Sequence, residues 1–305
     1  MDARNALLEA RSVVGPGHDP WVLEPSPPAV VDGEWFADDP VEAGDLDWRE
    51  WVGAHPEHAG WAADRWLAAF RPLGPIPGQL AETRVALHRL AVYVLSLARQ
   101  RRSNGKMALR WTLGGVGTPF FGDDGQVRTV GTDLVRQRGS SAAATAITTL
   151  NEAAAFVLDG PPDTEWAKGF DVPAPGDLDE PLPVDAEAAR FVGDWYGFAW
   201  SVLEALRAEP ASADAGRVQL WPEHFDAAFD FRVRDGRVTF GASPGDAAAD
   251  EPYFYVLPAG EVPRTDLWNA CFFNGAVLPV RDLVGEADQR PAALEFFRTH
   301  RAPLL

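Results

Sequence analysis

Apolar and polar positions along the chain fall into a pattern that occurs twice. Residues 79–99, Q-L-A-E-T-R-V-A-L-H-R-L-A-V-Y-V-L-S-L-A-R, and 185–207, D-A-E-A-A-R-F-V-G-D-W-Y-G-F-A-W-S-V-L-E-A-L-R, carry apolar side chains at helical spacing. In the second, Phe191, Trp195, Phe198, Val202 and Leu206 form one stripe, the spacing of a helix face turned to a core. Each helix precedes short runs with turn signals: G-K-M-A-L then D-D-G-Q-V, and G-R-V-Q-L then R-D-G-R-V. Gly105 and Gly216 lie 111 positions apart, and so do Gly125 and Gly236. Each half closes on a further helix, the first with Thr149 and Glu152 at capping-box spacing, the second around P-A-A-L-E-F-F-R. The pattern predicts an α+β fold in which a duplicated helix–β-hairpin unit packs its helices on antiparallel sheet.

Four segments follow from this reading. Residues 1–75 form a Pro/Trp-rich extension with a short helix over 56–70; 76–160 are the first α+β unit; 161–184 are an acidic, Pro-rich linker; 185–305 are the second unit.

The second hairpin can be registered. A two-residue turn at Asp235–Gly236 pairs Val233 with Val238, Phe231 with Phe240 and Phe229 with Ala242, all apolar and all on one face. His224, Asp226, Ala228 and Asp230 then share the opposite face, and Ser243 stands across from Ala228. Upstream, Val218 and Leu220 are apolar at even positions, whereas Phe225 to Phe231 are apolar at odd ones. A bulge or kink at Pro222 accounts for the change of phase.

That face holds the candidate chemistry. His224 and Asp226 are read as a solvated pair on a strand face, as a general-base pair, or as metal ligands with Asp246 from the turn after G-A-S-P-G. G-A-S-P-G itself imitates a nucleophile elbow. Pro244 follows the serine and has no N–H for an oxyanion, and no helix follows, so Ser243 is not read as a nucleophile. Arg110, Trp111, Trp221, Glu223 and Ser243 are the expected ligand-binding residues. Trp111, Trp221 and the glycine-rich loop G-G-V-G-T-P-F-F-G (114–122) would line a cleft between the halves. That loop lacks the helix N-terminus a phosphate cradle needs. H-P-E-H (55–58) has histidine spacing but no second ligand pair.

Composition narrows the functions. With 45 acidic against 27 basic residues, a net charge of −18 excludes nucleic acid and anionic membrane as partners. The single Cys271, in C-F-F, reads as a small buried hydrophobe and supports no disulfide. No apolar run approaches the ~20 residues of a membrane span, and a cytoplasmic location is expected.

The stretches G-K-M-A-L-R-W-T-L-G-G-V-G-T-P-F-F-G, L-W-P-E-H-F-D, G-A-S-P-G-D and E-P-Y-F-Y-V together resemble a set of uncharacterised bacterial proteins. The likeness spans roughly residues 80–260 and implies no activity and no residue roles. Three readings stand: small-molecule binding in a cleft, a metal-dependent hydrolase or oxygenase built on His224, Asp226 and Asp246, and a protein–protein interaction module.

Overall fold

The computed structural model describes residues 30–31, 34–35, 56, 72–102, 106–112, 114–119, 125–138, 141–209, 215–233, 236–263 and 265–305. The helix expected over 56–70 and the H-P-E-H histidines lie outside the described residues, Pro56 excepted. Within the extension, β1 (Val30–Val31) and β2 (Glu34–Trp35) form a short antiparallel ladder.

The first half opens with α1 (Leu80–Leu90), which runs through one π-helical turn at Ala91–Leu95 into α2 (Ser96–Arg102). Arg99, Arg101 and Arg102 fall in the last turn, where cations suit the helix dipole. Five antiparallel strands follow in sequence order: β3 (Arg110–Thr112), β4 (Gly115–Gly117), β5 (Gly125–Val130), β6 (Asp133–Arg138) and β7 (Ser141–Ala146). The closing helix α3 (Leu150–Leu158) starts where its cap predicts, with Thr149 accepting from the Glu152 N–H at 3.1 Å. The Glu152 carboxylate reaches back to the Thr148 hydroxyl.

The second half repeats this order. Helix α4 (Ala186–Arg207) is capped by Asp185, which accepts from Glu187 and Ala188. It leads to β8 (Gln219–Trp221), β9 (Asp226–Val233), β10 (Gly236–Ser243), β11 (Tyr253–Pro258) and β12 (Ala276–Pro279), again antiparallel and in sequence order. Helix α5 (Gln289–Arg301) closes it. The repeated unit thus carries a five-stranded meander, three strands more than the predicted hairpin.

The two sheets meet at their first strands. Leu109 and Leu220 exchange both backbone hydrogen bonds, at 2.7 and 2.9 Å, in a single antiparallel bridge. These residues are themselves 111 positions apart, and the first residues of β4 and β9, Gly115 and Asp226, keep the same offset. So do Gly114 and Phe225, both in the left-handed region, at φ 85° and 52°. The bridge thus joins two residues that share the offset seen between the two halves of the sequence.

Helix α4 covers the junction. Its stripe Phe191, Trp195, Phe198, Val202 and Leu206 is buried, as its spacing predicts. Trp195 and Phe198 pack on Phe254, and Phe297 of α5 meets Phe240 and Phe254 edge-on. Gly193 lets the helix cross β4 closely. A Cβ there would lie 2.8 Å from the Gly114 carbonyl. The glycine-rich stretch therefore serves helix–sheet packing where it is described.

The predicted linker over 161–184 has no helix or strand, yet it is packed. Ala167 and Leu182 are buried, Leu182 N donates to Thr148 O at 2.7 Å, and the Tyr93 hydroxyl donates to Pro173 O at 2.9 Å.

Two details of the predicted hairpin are corrected. Val233 pairs with Gly236, Phe231 with Val238, Phe229 with Phe240 and Ala227 with Ala242. The register is shifted by two residues, which moves every pair but leaves each side chain on its predicted face. The shift places Phe240 between Phe229 and Phe231, with ring centroids 5.6 and 5.5 Å away. The expected bulge at Pro222 is instead a chain reversal: Trp221 pairs with Asp226, and Phe225 N donates to Trp221 O at 2.7 Å. The change of hydrophobic phase is the change from one strand to the next.

Candidate functional site

The outer face of the second sheet, away from α4 and α5, is set by the period of two. Trp221 pairs with Asp226, Ser243 pairs with Tyr253, and the β9–β10 register continues to set Ser243 across from Asp226. Trp221, Asp226, Ser243 and Tyr253 thus form one row across four strands. The next row is Gln219, Ala228, Gly241 and Tyr255. Small residues beneath Tyr255 let its ring lie flat over the sheet: a Cβ on Gly241 would sit 2.2 Å from Tyr255 Cζ.

Tyr255 reaches diagonally across that floor and donates its hydroxyl to Asp226 Oδ2. Asp226 is 8% exposed, and its other oxygen, Oδ1, is buried without a hydrogen-bond partner. Burial pushes its carboxyl up to about 6; the Tyr255 hydrogen bond and the charge of His224 oppose the rise, and the charge of Glu223 adds to it. Glu223 Oε2, on the turn just before, is likewise buried without a partner. Tyr255 is itself raised well above its ordinary value by burial and then by the Asp226 charge, so it stays a donor.

A second tyrosine–carboxylate pair lies alongside. Tyr253 donates to Asp246 Oδ2, while Asp246 Oδ1 accepts from the N–H groups of Ala248 and Ala249 at 2.7 and 3.0 Å. Arg84 of α1 donates to the Asp250 and Asp246 carbonyls at 3.1 and 3.4 Å, tying this loop to the helix. Gly245 is needed there, since a Cβ would meet the Arg84 guanidinium at 2.4 Å.

The turn carrying Glu223 is held from the core side. Phe225, 1% exposed, adopts φ 52°, which is uncommon for a residue other than glycine. Its ring stacks on His88 at 5.0 Å, and its carbonyl accepts from the Tyr196 hydroxyl. His88 Nε2 lies 2.7 Å from the Pro222 carbonyl, which can only accept, so that nitrogen carries the proton. Burial pushes His88 down to about 4, aided by the charges of Arg84 and His224.

The predicted residues are thus only partly brought together. Asp226, Trp221, Glu223 and Ser243 share the outer face or its rim. His224 is exposed on the turn and makes no hydrogen bond to Asp226, so the two do not form the expected strand pair. Asp246 is committed to Tyr253 and its own turn. Among the described residues no three of His, Cys, Asp and Glu form a group able to hold a metal ion, and His224, Asp226 and Asp246 are no exception. Ser243 Oγ accepts from Gly245 N at 3.2 Å in a local turn.

The expected cleft between the halves is not formed by its proposed residues. Trp111 lies on the inner face with Leu109 and packs against Gly197 of α4, whereas Trp221 follows Leu220 and so points outward. Arg110 stands on β3, its Nε 3.4 Å from the Trp111 carbonyl. Cys271 is exposed, contrary to its reading as a buried hydrophobe. It helps line a cavity of about 360 Å³ with Trp268, Phe272 and Phe273. Those two phenylalanines contact Tyr253 and Tyr255, so the cavity adjoins the site.

Sequence reasoning missed Tyr253, Tyr255, Tyr196, Arg84 and His88. The two tyrosines were signalled by alternation in E-P-Y-F-Y-V around the buried Phe254. Arg84 and His88 had no local signal, because their partners lie more than a hundred residues away.

Among the described residues no helix is long and apolar enough to cross a membrane. Searches of family models, curated proteins and solved structures find no match to this chain.

Proposed function

We propose that this protein binds a small molecule on the outer face of its second sheet, at the Asp226 cluster, and not between its two halves. The observation that supports this is Asp226 Oδ1: a side-chain oxygen of a residue 92% removed from solvent, without a partner, beside tyrosines whose hydroxyls are already committed. A buried acceptor left open costs about 1–3 kcal/mol. A ligand donor would recover that energy. The exposed Trp221 and His224 mark the solvent side of the site.

The test is a thermal-shift screen of small polar molecules on the wild-type protein and Asp226→Asn. Compounds that bind here raise the wild-type Tm, increasingly with their concentration relative to Kd, and leave Asp226→Asn unmoved. If every stabilising compound acts equally on both proteins, the site is wrong.

A second reading has its own observation. A carboxyl held at about 6, oriented by a tyrosine, suits proton transfer near neutral pH. In that reading Asp226 is the acid–base group, and the bound molecule is transformed as well as held.

A further inference from the structure

The unfilled acceptors define the chemistry of the ligand. Asp226 Oδ1 and Glu223 Oε2 are both buried and both without a partner, and they belong to residues three positions apart across one turn. Their charges are close enough for Glu223 to raise the Asp226 carboxyl. Ionised carboxylates only accept hydrogen bonds. Four nearby donors are directed elsewhere: Tyr255 to Asp226 Oδ2, Tyr253 to Asp246, Arg84 to the Asp246 and Asp250 carbonyls, and His88 to Pro222. His224 on the same turn and Ser243 across from Asp226 also leave both oxygens without a partner. Two neighbouring negative acceptors that no protein donor meets call for a cation that brings its own N–H groups.

The same place supplies an apolar contact. Trp221 is directly opposite Asp226 in the β8–β9 pair, so its side chain stands on the same face within ordinary cross-strand reach. At 39% exposure its ring is open to a ligand. An indole face beside a carboxylate favours an organic ammonium over a hydrated metal ion, through cation–π attraction and burial of the ligand's carbon body. The net charge of −18 steers a cation toward the protein.

We infer that the site takes a primary ammonium with an apolar body, the –NH₃⁺ donating to Asp226 Oδ1 and Glu223 Oε2 and the body lying against Trp221. This rests on the proposed binding site and adds the ligand class.

The test is isothermal calorimetry with 2-phenylethylammonium and its neutral counterpart 2-phenylethanol, with magnesium chloride as the inorganic arm, at pH 8. Wild-type protein should bind the ammonium at least about thirtyfold more tightly than the alcohol, and Asp226→Asn and Glu223→Gln should each lose roughly that factor. Trp221→Ala should weaken the ammonium without creating a preference for the alcohol. Asparagine keeps an acceptor for Tyr255, and the unfolding transition of each variant shows that it is folded. Failure of wild-type protein to bind the ammonium overturns the inference, and so does equal affinity for ammonium and alcohol. If both weaken together in Asp226→Asn, the ligand class is wrong and the site stands. If neither depends on Asp226, the site falls as well. Magnesium displacing the ammonium competitively would assign the acceptors to an inorganic cation and overturn the proposal.

Discussion

The hydroxyl of Tyr255 donates to Asp226 across a floor made by Gly241, joining β11 to β9 over the strand between them. This contact orients the carboxylate and lowers a proton affinity that burial raises. Removing the hydroxyl in Tyr255→Phe leaves both Asp226 oxygens without a side-chain donor. The Asp226 carboxyl should then rise above about 6, because the lost hydrogen bond is a lowering influence. Carbon-detected NMR titration of the aspartate carboxyls would show the change. Stability should fall by about 1–3 kcal/mol. An unchanged or lower titration midpoint would mean that the hydroxyl does not orient Asp226.

Gly241→Ala should act through the same ring. The new Cβ lies 2.2 Å from Tyr255 Cζ, so the ring must lift from the sheet. Overpacking of this kind costs about 1–3 kcal/mol. Most of that cost should vanish in the Tyr255→Ala background, giving a coupling energy of about 1 kcal/mol or more in a denaturant-unfolding double-mutant cycle. Additive effects would place the strain elsewhere.

Two buried groups pull the pH dependence of stability in opposite directions. Asp226 is raised from 3.8 to about 6, so the folded chain holds its proton more tightly than the unfolded one. That contribution is complete below about 3.8 and is lost as pH rises through about 6. His88 is lowered from 6.5 to about 4, so its contribution is complete above 6.5 and is lost as pH falls through about 4. Both groups sit among Glu223 and His224 of the turn, Tyr253 and Tyr255 of β11, Tyr196 of α4 and Arg84 of α1. Each swing is on the order of 3 kcal/mol, and in the wild type they offset each other. Asp226→Asn should therefore be more favourable relative to wild type at pH 8 than at pH 4. His88→Gln should be more favourable at pH 4 than at pH 8. Urea unfolding at both pH values decides this; parallel pH profiles for all three proteins would refute it.

Phe225 should invert the usual order of glycine and alanine. Its φ of 52° disfavours any side chain by roughly 1–2 kcal/mol, and the ring compensates through His88 and Tyr196. Phe225→Ala loses the ring and keeps the strain, whereas Phe225→Gly loses both. The glycine variant should be the more stable of the two by about 1 kcal/mol, by chemical denaturation. Alanine proving the more stable would show that the turn relaxes out of the left-handed region. Gly114, at the equivalent place in the first half, already has the unstrained choice.

Much of the architecture was legible because its signals are local. The stripe from Phe191 to Leu206 spaced itself as a helix face, the Thr149 cap marked a helix start, and Phe229, Phe231, Val238 and Phe240 declared one face of a hairpin. The 111-residue offset was visible in two glycine pairs, and the structure adds Leu109 with Leu220 and Gly114 with Phe225. The pairing of Val233 with Gly236 was not legible, since a shift of two residues preserves every face and alternation cannot detect it. The histidine–aspartate pair failed for a related reason. Two residues apart means one face only within a strand, and His224 belongs to the turn.

By itself, then, the sequence determined where the main helices and the β9–β10 hairpin lie and which side of each meets the core, while the further strands of each sheet were not read from it. Those choices follow from periods of 3.6 and 2, which any window of a few turns or strands displays. Only the tertiary structure decided that Tyr255 would close on Asp226, that Arg84 and His88 of α1 would hold the two loops beside them, and that Asp226 Oδ1 would be left open. These contacts join residues from 29 to 166 positions apart. They depend on how whole sheets and helices stack, and no local period encodes that.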